Sequence, residues 1–138
     1  MGTERDVTIG SSRSDPIRIH ARRRWTRTGV MLRKGHTYRI TARGCWKDKD
    51  TPCGPCGYPS NSQVLRMAEP LRRKRHANWF ALIGAQRFLF AGRFVIGKEA
   101  TYRARRDGKL WCFANDVWFM YFNNKGSVEI TVEELADQ

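Results

Sequence analysis

The stretch Ser127-Val128-Glu129-Ile130-Thr131-Val132-Glu133 decides the fold class of this chain. Apolar side chains occupy every second position, and polar side chains occupy the positions between them. A period of two places neighbouring side chains on opposite faces of a β-strand, so the stretch predicts a strand with one buried and one solvated face. Val128, Ile130 and Val132 form the predicted inward face.

The same alternation recurs earlier in the chain. Residues 17–21, 36–43 and 109–114 each place apolar side chains at every second position, and residues 79–83 form a continuous apolar run that ends at Gly84. Together with three shorter apolar pieces, these stretches predict about eight short strands separated by turn residues. No long helical period is found. The shorter pieces are residues 28–32, 88–90 and 94–96. This pattern predicts an all-β sandwich or barrel built from antiparallel strands.

The length of 138 residues suits a single domain. Residues 1–15 are polar and predict a mobile arm, followed by one β-sandwich binding domain over residues 16–138. Residues 44–70 are rich in Gly, Pro, Asn and Ser, and are interpreted as a long loop. Loops of that length in compact domains are often functional.

The chain is strongly basic, with 26 Lys and Arg against 13 Asp and Glu and a net charge of +13. Arginine-rich runs occur at residues 22–24 and 72–75, and a third group consists of Arg103, Arg105 and Arg106. Such a field favours anionic partners, and the runs are candidates for a phosphate- or sulfate-binding patch. The alternative is a solvated basic face with no dedicated partner.

Other function classes find less support. No run reaches the roughly 20 apolar residues needed to span a bilayer, and the first residues lack the apolar core of a secretion signal. We therefore expect no membrane span and a cytoplasmic location. No Ser/His/Asp set or pair of carboxylates suggests a hydrolase, so we expect a binding protein and not an enzyme.

Four cysteines, Cys45, Cys53, Cys56 and Cys112, leave three interpretations open. Cys53 and Cys56 form a CxxC pair, but the Gly- and Pro-containing stretch after it disfavours the helix that thioredoxin-like redox chemistry requires. A CxxC is also a normal half-site for zinc, which Cys45 and Cys112 would complete. The third interpretation is a set of reduced thiols that behave as small apolar side chains.

Two pairs of polar residues form the most informative constellation. Asn115-Asp116 and Asn123-Asn124 bracket a short loop between the last two predicted strands. Carboxylate and amide oxygens are hard ligands that suit calcium, and the loop brings its two ends together. Ordinary turn chemistry of Asp and Asn is the alternative.

The ordered set of these pieces resembles the PA-IL-like (LecA-like) bacterial galactose-binding lectins over residues 17–132. The matching pieces are Trp25, residues 28–30, Gly35, residues 42–44, residues 54–57, residues 81–84, residues 108–110, residues 115–116 and residues 123–127. The resemblance implies a β-sandwich of the galactose-binding-domain-like jelly-roll type. It also identifies Gly54-Pro55-Cys56-Gly57 as a turn of that family.

The resemblance implies a calcium and sugar site at residues 115–124. It assigns calcium ligation to the side chains of Asp116, Asn123 and Asn124 and to the main-chain oxygen of Met120. A further main-chain oxygen is implied near Asp48. The same Asp116, Asn123 and Asn124 are implied to contact the sugar.

Bulky residues distinguish this loop from the family pattern, which has small turn residues where this chain has Trp118-Phe119-Met120. Trp118 and Tyr121 are candidates for stacking on a sugar face, and the alternatives for such aromatics are core packing or a dimer contact. We expect a homo-oligomeric lectin-like module for galactose-type or acidic glycans. The alternative is a binder of nucleic acid or acidic polysaccharide that uses the arginine runs.

Overall fold

The computed structural model describes residues 13–86 and 92–136, and within them the chain forms two antiparallel sheets. The first sheet contains, in spatial order, β1 (Ile17–His20), β9 (Asn124–Leu135), β3 (Thr37–Asp48) and β4 (Thr51–Cys53), and β7 (Glu99–Arg103) also pairs with β3. The second sheet contains, in spatial order, β2 (Thr26–Leu32), β8 (Gly108–Ala114), β5 (Leu82–Ala85) and β6 (Arg93–Val95). The predicted all-β antiparallel sandwich is confirmed.

The main core lies between the two sheets. Val128, Ile130 and Val132 of β9 are buried, as their alternation predicts, and they share one cluster with Leu110 and Cys112 of β8. The largest buried side chains of the same cluster are Trp46, Tyr38 and Phe80. Burial of this apolar surface is the main stabilising contribution to the sandwich.

A second, smaller core lies on the outer face of the second sheet. Phe113 follows the inward-facing Cys112, so the strand period places its ring on the opposite face. There Phe113 packs with Ile83, Ala77 and Ala81, and Trp25 lies against the cluster. The rings of Trp25 and Phe113 meet edge to face, with centroids 5.1 Å apart. The segment that carries Ala77 therefore covers this face.

Residues 44–70 do not form the predicted loop. β3 continues through Gly44 to Asp48 and pairs with β9 along its whole length, and β4, α1 (Gln63–Ala68) and a 3-10 turn (Glu69–Leu71) follow. β3 and β9 approach each other closely at Gly44, since a Cβ on this residue would lie 3.3 Å from the Val128 Cα. No helix among the described residues is long and apolar enough to cross a membrane.

Two further boundaries differ from the sequence prediction. The strand expected over residues 79–83 begins only at Leu82, because Phe80 has a φ of 60° and breaks the extended backbone. Ser14, in the last part of the predicted arm, is buried and exchanges hydrogen bonds with Val132 at 2.8 and 2.9 Å. The remaining arm residues 1–12 and the predicted strand 88–90 lie outside the described residues.

Candidate functional site

Asp48, Asp116 and Asn124 come together where β3 ends and β9 begins, and Asn123 directly precedes Asn124 in the chain. Asp48, the last residue of β3, lies directly opposite Asn124, the first residue of β9, in the ladder between the two strands. Asp116 follows β8, and a 3-10 turn ending at Asn123 leads into β9. Asp48 and Asn124 both lie close enough to Asp116 to affect its pKa, which burial chiefly sets. We call Asp48, Asp116, Asn123 and Asn124 the Asx cluster.

Three oxygens of the Asx cluster are buried and have no hydrogen-bond donor among residues 13–86 and 92–136. They are Asp116 Oδ2, Asn123 Oδ1 and Asn124 Oδ1. The remaining polar groups of Asp116 and Asn124 do form hydrogen bonds. Asp116 Oδ1 accepts from the Val117 N–H at 2.7 Å, and Asn124 Nδ2 donates to the Ala21 carbonyl at 3.0 Å. A buried acceptor without a donor costs about 1–3 kcal/mol of stability, so a cation or a hydrogen-bond donor at these oxygens would be favourable.

The pKa of Asp116 also reflects the burial of its carboxyl group. Asp116 is only 4% exposed, and burial raises its pKa from 3.8 to about 7, with a further increase from the charge of Asp48. The hydrogen bond from Val117 and the charge of Arg73 act in the opposite direction but do not cancel the effect of burial. A cation at the cluster would favour the ionised carboxylate.

Tyr58 is a site residue that the sequence analysis missed. Its hydroxyl donates to Asp48 Oδ2, and burial raises the pKa of the tyrosine. The main chain of Tyr58 exchanges hydrogen bonds with Trp79 at 2.8 and 2.9 Å. The preceding Gly57 permits this approach, since a Cβ there would lie 2.0 Å from the Trp79 carbonyl oxygen. In the sequence, the Gly54–Gly57 turn was the feature that could have indicated the position of Tyr58.

Of the two aromatics predicted to contact ligand, only Trp118 is accessible. Trp118 is 47% exposed, whereas Tyr121 is buried. The Tyr121 hydroxyl donates to the Ala114 carbonyl and accepts from Arg73 Nη1 at 2.9 Å. The prediction that Tyr121 stacks on a ligand is therefore wrong. Met120 donates its N–H to Val117 at 2.9 Å, and the role of its carbonyl as a ligand stays a prediction.

A groove of about 580 Å³ lies beside the Asx cluster. We call it the arginine groove and define it by its basic side chains and one aromatic wall, which are Arg72, Arg73, Lys74, Arg75, Arg93 and Trp118. Trp118 belongs to the loop between Asp116 and Asn123, so the groove and the Asx cluster share that loop. The arginine run at residues 72–75 is thus brought next to the predicted calcium site, which its place in the sequence did not indicate.

The four cysteines do not come together as one group among the described residues. Cys112 is buried in the core between the sheets, whereas Cys45 and Cys56 are exposed. Burial raises the pKa of Cys53 to about 12, which disfavours the thiolate that zinc or redox chemistry needs. Among residues 13–86 and 92–136, no three His, Cys, Asp or Glu side chains are grouped to hold a metal ion. β8 places Cys112 inside the sandwich, whereas Cys45 and Cys56 lie at the surface, and zinc binding stays a prediction.

Comparison with solved structures finds the same architecture in a known domain. The EclA N-terminal domain, described as a PllA-like lectin, matches with a TM-score of 0.65, over 91% of this chain and 100% of that domain. This chain has the fold of that domain. The two sequences are 21% identical, so the likeness concerns the fold. No protein-family model and no curated protein matches the sequence.

Proposed function

We propose that this protein is a calcium-dependent carbohydrate-binding module whose ligand lies at the Asx cluster. The observation that carries the proposal is the set of three buried oxygens without donors, on Asp116, Asn123 and Asn124. The matching fold of the EclA N-terminal domain, a PllA-like lectin, supports it independently.

The donor chemistry of the Asx cluster fits calcium better than zinc. Calcium takes 6–8 oxygen ligands, which carboxylates, amide side chains and main-chain carbonyls supply. The Asx cluster offers oxygens from two Asp and two Asn side chains, and the carbonyl of Met120 is a further candidate. Zinc prefers cysteine and histidine, and none of these residues belongs to the cluster.

A calcium ion held there would supply open coordination positions to which sugar hydroxyls bind. The chain itself orients the ligand set. Asn124 is fixed by its bond to Ala21, Asp116 by its bond to Val117, and Asp48 by the Tyr58 hydroxyl. This preorganisation lowers the entropy lost on binding. Trp118, which is 47% exposed, lies on the same loop and is the aromatic candidate for packing on an apolar sugar face.

The first experiment measures the melting temperature with calcium and with a chelator. Calcium should raise the melting temperature of the wild-type protein and leave that of Asp116→Asn unchanged. Asp116→Asn removes a buried charge without changing the shape of the side chain, so the variant should fold. The matched control is Asp15→Asn, an exposed carboxylate before β1, which should keep the full calcium response.

The second experiment is a glycan array read in calcium and in chelator. Binding to a defined set of glycans in calcium, and its loss in chelator and in Asp116→Asn, supports the proposal. A calcium response that survives in Asp116→Asn would contradict it, and so would an array without calcium-dependent binding.

A further inference from the structure

Arg73 is a buried cation that has no acidic hydrogen-bond partner in the part of the chain that the structure describes. The residue is 6% exposed, and Nη1 donates to the Tyr121 hydroxyl at 2.9 Å and to the Arg24 carbonyl. Nε and Nη2 are buried and have no hydrogen-bond acceptor. Arginine keeps its charge in proteins, and among the described residues no carboxylate accepts a hydrogen bond from this guanidinium, although Asp116 lies close enough for its charge to act on it.

The two unused donors lie on one edge of the guanidinium. Nε–H and one Nη2–H point in parallel, and this edge is the one that binds a carboxylate or sulfate through two hydrogen bonds. The faces of the guanidinium are already covered. The Phe113 ring lies 3.6 Å from its central carbon, and the rings of Trp25 and Trp118 lie 4.6 and 4.7 Å away. Ring faces attract the cation but supply no acceptor for these donors.

The rest of the arginine groove has the same sign of charge. Its lining includes Arg72, Lys74, Arg75 and Arg93, and none of the described residues that line it is acidic. The nearby carboxylate of Glu69 lies 3.9 Å from Arg72 Nη2, at the long end of the distance range for an ion pair. A concave surface with one sign of charge concentrates its field and attracts small anions.

We infer that the arginine groove is an anion subsite that binds a sulfate or carboxylate group of an acidic glycan. The adjoining sugar of that glycan lies at the Asx cluster, and this half of the inference rests on the proposed function. The half-exposed Trp118 connects the two halves, since its ring packs against Arg73 and its main chain belongs to the loop of the cluster. Arg73 and Trp118 both line the groove.

An acidic glycan fits this arrangement better than a nucleic acid. A duplex presents its phosphates along an extended rod, so its binding surface carries cations spread over a long face. Here the cations surround a single concave groove that is adjacent to a cluster of calcium-type ligands. One charged substituent next to a sugar ring matches that pairing.

The two subsites are also electrostatically coupled. The main-chain N–H of Arg73 donates to the main-chain carbonyl of Asp116 at 3.2 Å, so the two subsites adjoin. A calcium ion at the cluster would add positive charge beside the groove. Calcium should therefore increase the affinity for the anionic group, and the anionic group should increase the affinity for calcium by the same factor.

The test is a glycan array that carries sulfated and unsulfated forms of the same glycans, followed by calorimetric titration of the best matched pair. The wild-type protein should bind the sulfated form at least tenfold more tightly. In Lys74→Gln/Arg75→Gln this ratio should fall about tenfold, while affinity for the unsulfated form and the calcium-induced rise in melting temperature stay unchanged. The control, Arg105→Gln/Arg106→Gln, removes the same charge from exposed residues before the start of β8, and should keep the ratio.

Tryptophan fluorescence provides a second measurement. Binding of the sulfated glycan should change the emission of the wild-type protein, and Trp118→Phe should remove most of that change. An unchanged sulfate preference in Lys74→Gln/Arg75→Gln would overturn the subsite, and so would an equal loss in the control. Duplex DNA that competes with the sulfated glycan at equal affinity in chelator would overturn the glycan assignment. A failure of the proposed function is seen separately, as loss of the calcium response and of unsulfated binding in the wild-type protein.

Discussion

The side chain of Asn115 forms two hydrogen bonds with the main chain of Lys74. Asn115 Oδ1 accepts from the Lys74 N–H at 2.9 Å, and Nδ2 donates to the Lys74 carbonyl at 3.0 Å. The same Nδ2 also lies within hydrogen-bond distance of the carbonyls of Ala77 and Asn78, at 3.2 and 2.9 Å. One buried amide thus attaches the basic segment to the end of β8, next to Asp116. This attachment fixes the arginine groove relative to the Asx cluster.

Asn115→Ala should lower the free energy of unfolding by about 3 kcal/mol, because it leaves several buried main-chain groups without partners. Urea denaturation measures this loss. Asn78→Ala is the matched control, since Asn78 is exposed and its side chain forms one hydrogen bond, with Cys56, at 3.2 Å. The control should lose less than about 1 kcal/mol. Equal losses in the two variants would show that Asn115 does not hold the segment.

Stability and calcium binding should both depend on the ionisation of Asp116. The pKa of this group in the folded protein, about 7, lies above its ordinary value of 3.8. Asp116 therefore holds its proton more tightly in the folded state than in the unfolded state. The free energy of unfolding falls as the pH rises from about 4 to about 7. Without calcium, the wild-type protein should lose stability over this range relative to Asp116→Asn.

Calcium should reverse that pH dependence. Calcium binds the ionised carboxylate, so the calcium-induced rise in melting temperature should be largest above pH 7 and should vanish toward pH 5. Titration near pH 6.5 should also release protons, which calorimetry detects as a binding enthalpy that varies with the buffer. A calcium response of equal size at pH 5 and pH 8 would contradict the assignment of Asp116 as a ligand.

The sequence predicted the sandwich because apolar and polar side chains alternate over residues 127–133 of β9 and in the first half of β3. The buried Val128, Ile130 and Val132 follow that pattern. β7 was missed because its residues, Glu99–Arg103, are half exposed and carry a weak apolar signal. The continuation of β3 was missed because Gly44 was read as the end of a strand, although here it permits the close approach of β9.

The convergence of Asp116 and Asn124 was predictable because both flank one loop between paired regions of chain. The contribution of Tyr58 was not, because it depends on a long-range contact through the Gly57 turn. The burial of Tyr121 also lay beyond the sequence pattern. Its ring lies near Arg73, which is 48 residues away in the sequence, and no local period predicts that pairing.

The Gly54–Gly57 turn should tolerate substitution at one glycine and not at the other. Gly57 has a φ of 68°, and a Cβ would lie 2.0 Å from the Trp79 carbonyl oxygen, so Gly57→Ala should cost more than about 3 kcal/mol or prevent folding. Gly54→Ala is the control, because the nearest atom to its Cβ would be 3.8 Å away. Urea denaturation should show a near-native Gly54→Ala. A stable Gly57→Ala would contradict the close contact with Trp79.

The four thiols should react with a thiol reagent in the order of their exposure and ionisation. Cys45 and Cys56 are exposed and should react fast in the native protein. Cys53 should react slowly, because burial raises its pKa to about 12, and Cys112 should react only on unfolding, because it lies in the core. Cys45→Ser/Cys56→Ser should therefore show no fast phase, while denaturant should expose two thiols in that variant.

Zinc should not change these rates, since the structure keeps Cys112 away from the exposed pair. Protection of all four thiols by one equivalent of zinc would contradict the position of Cys112 between the two sheets.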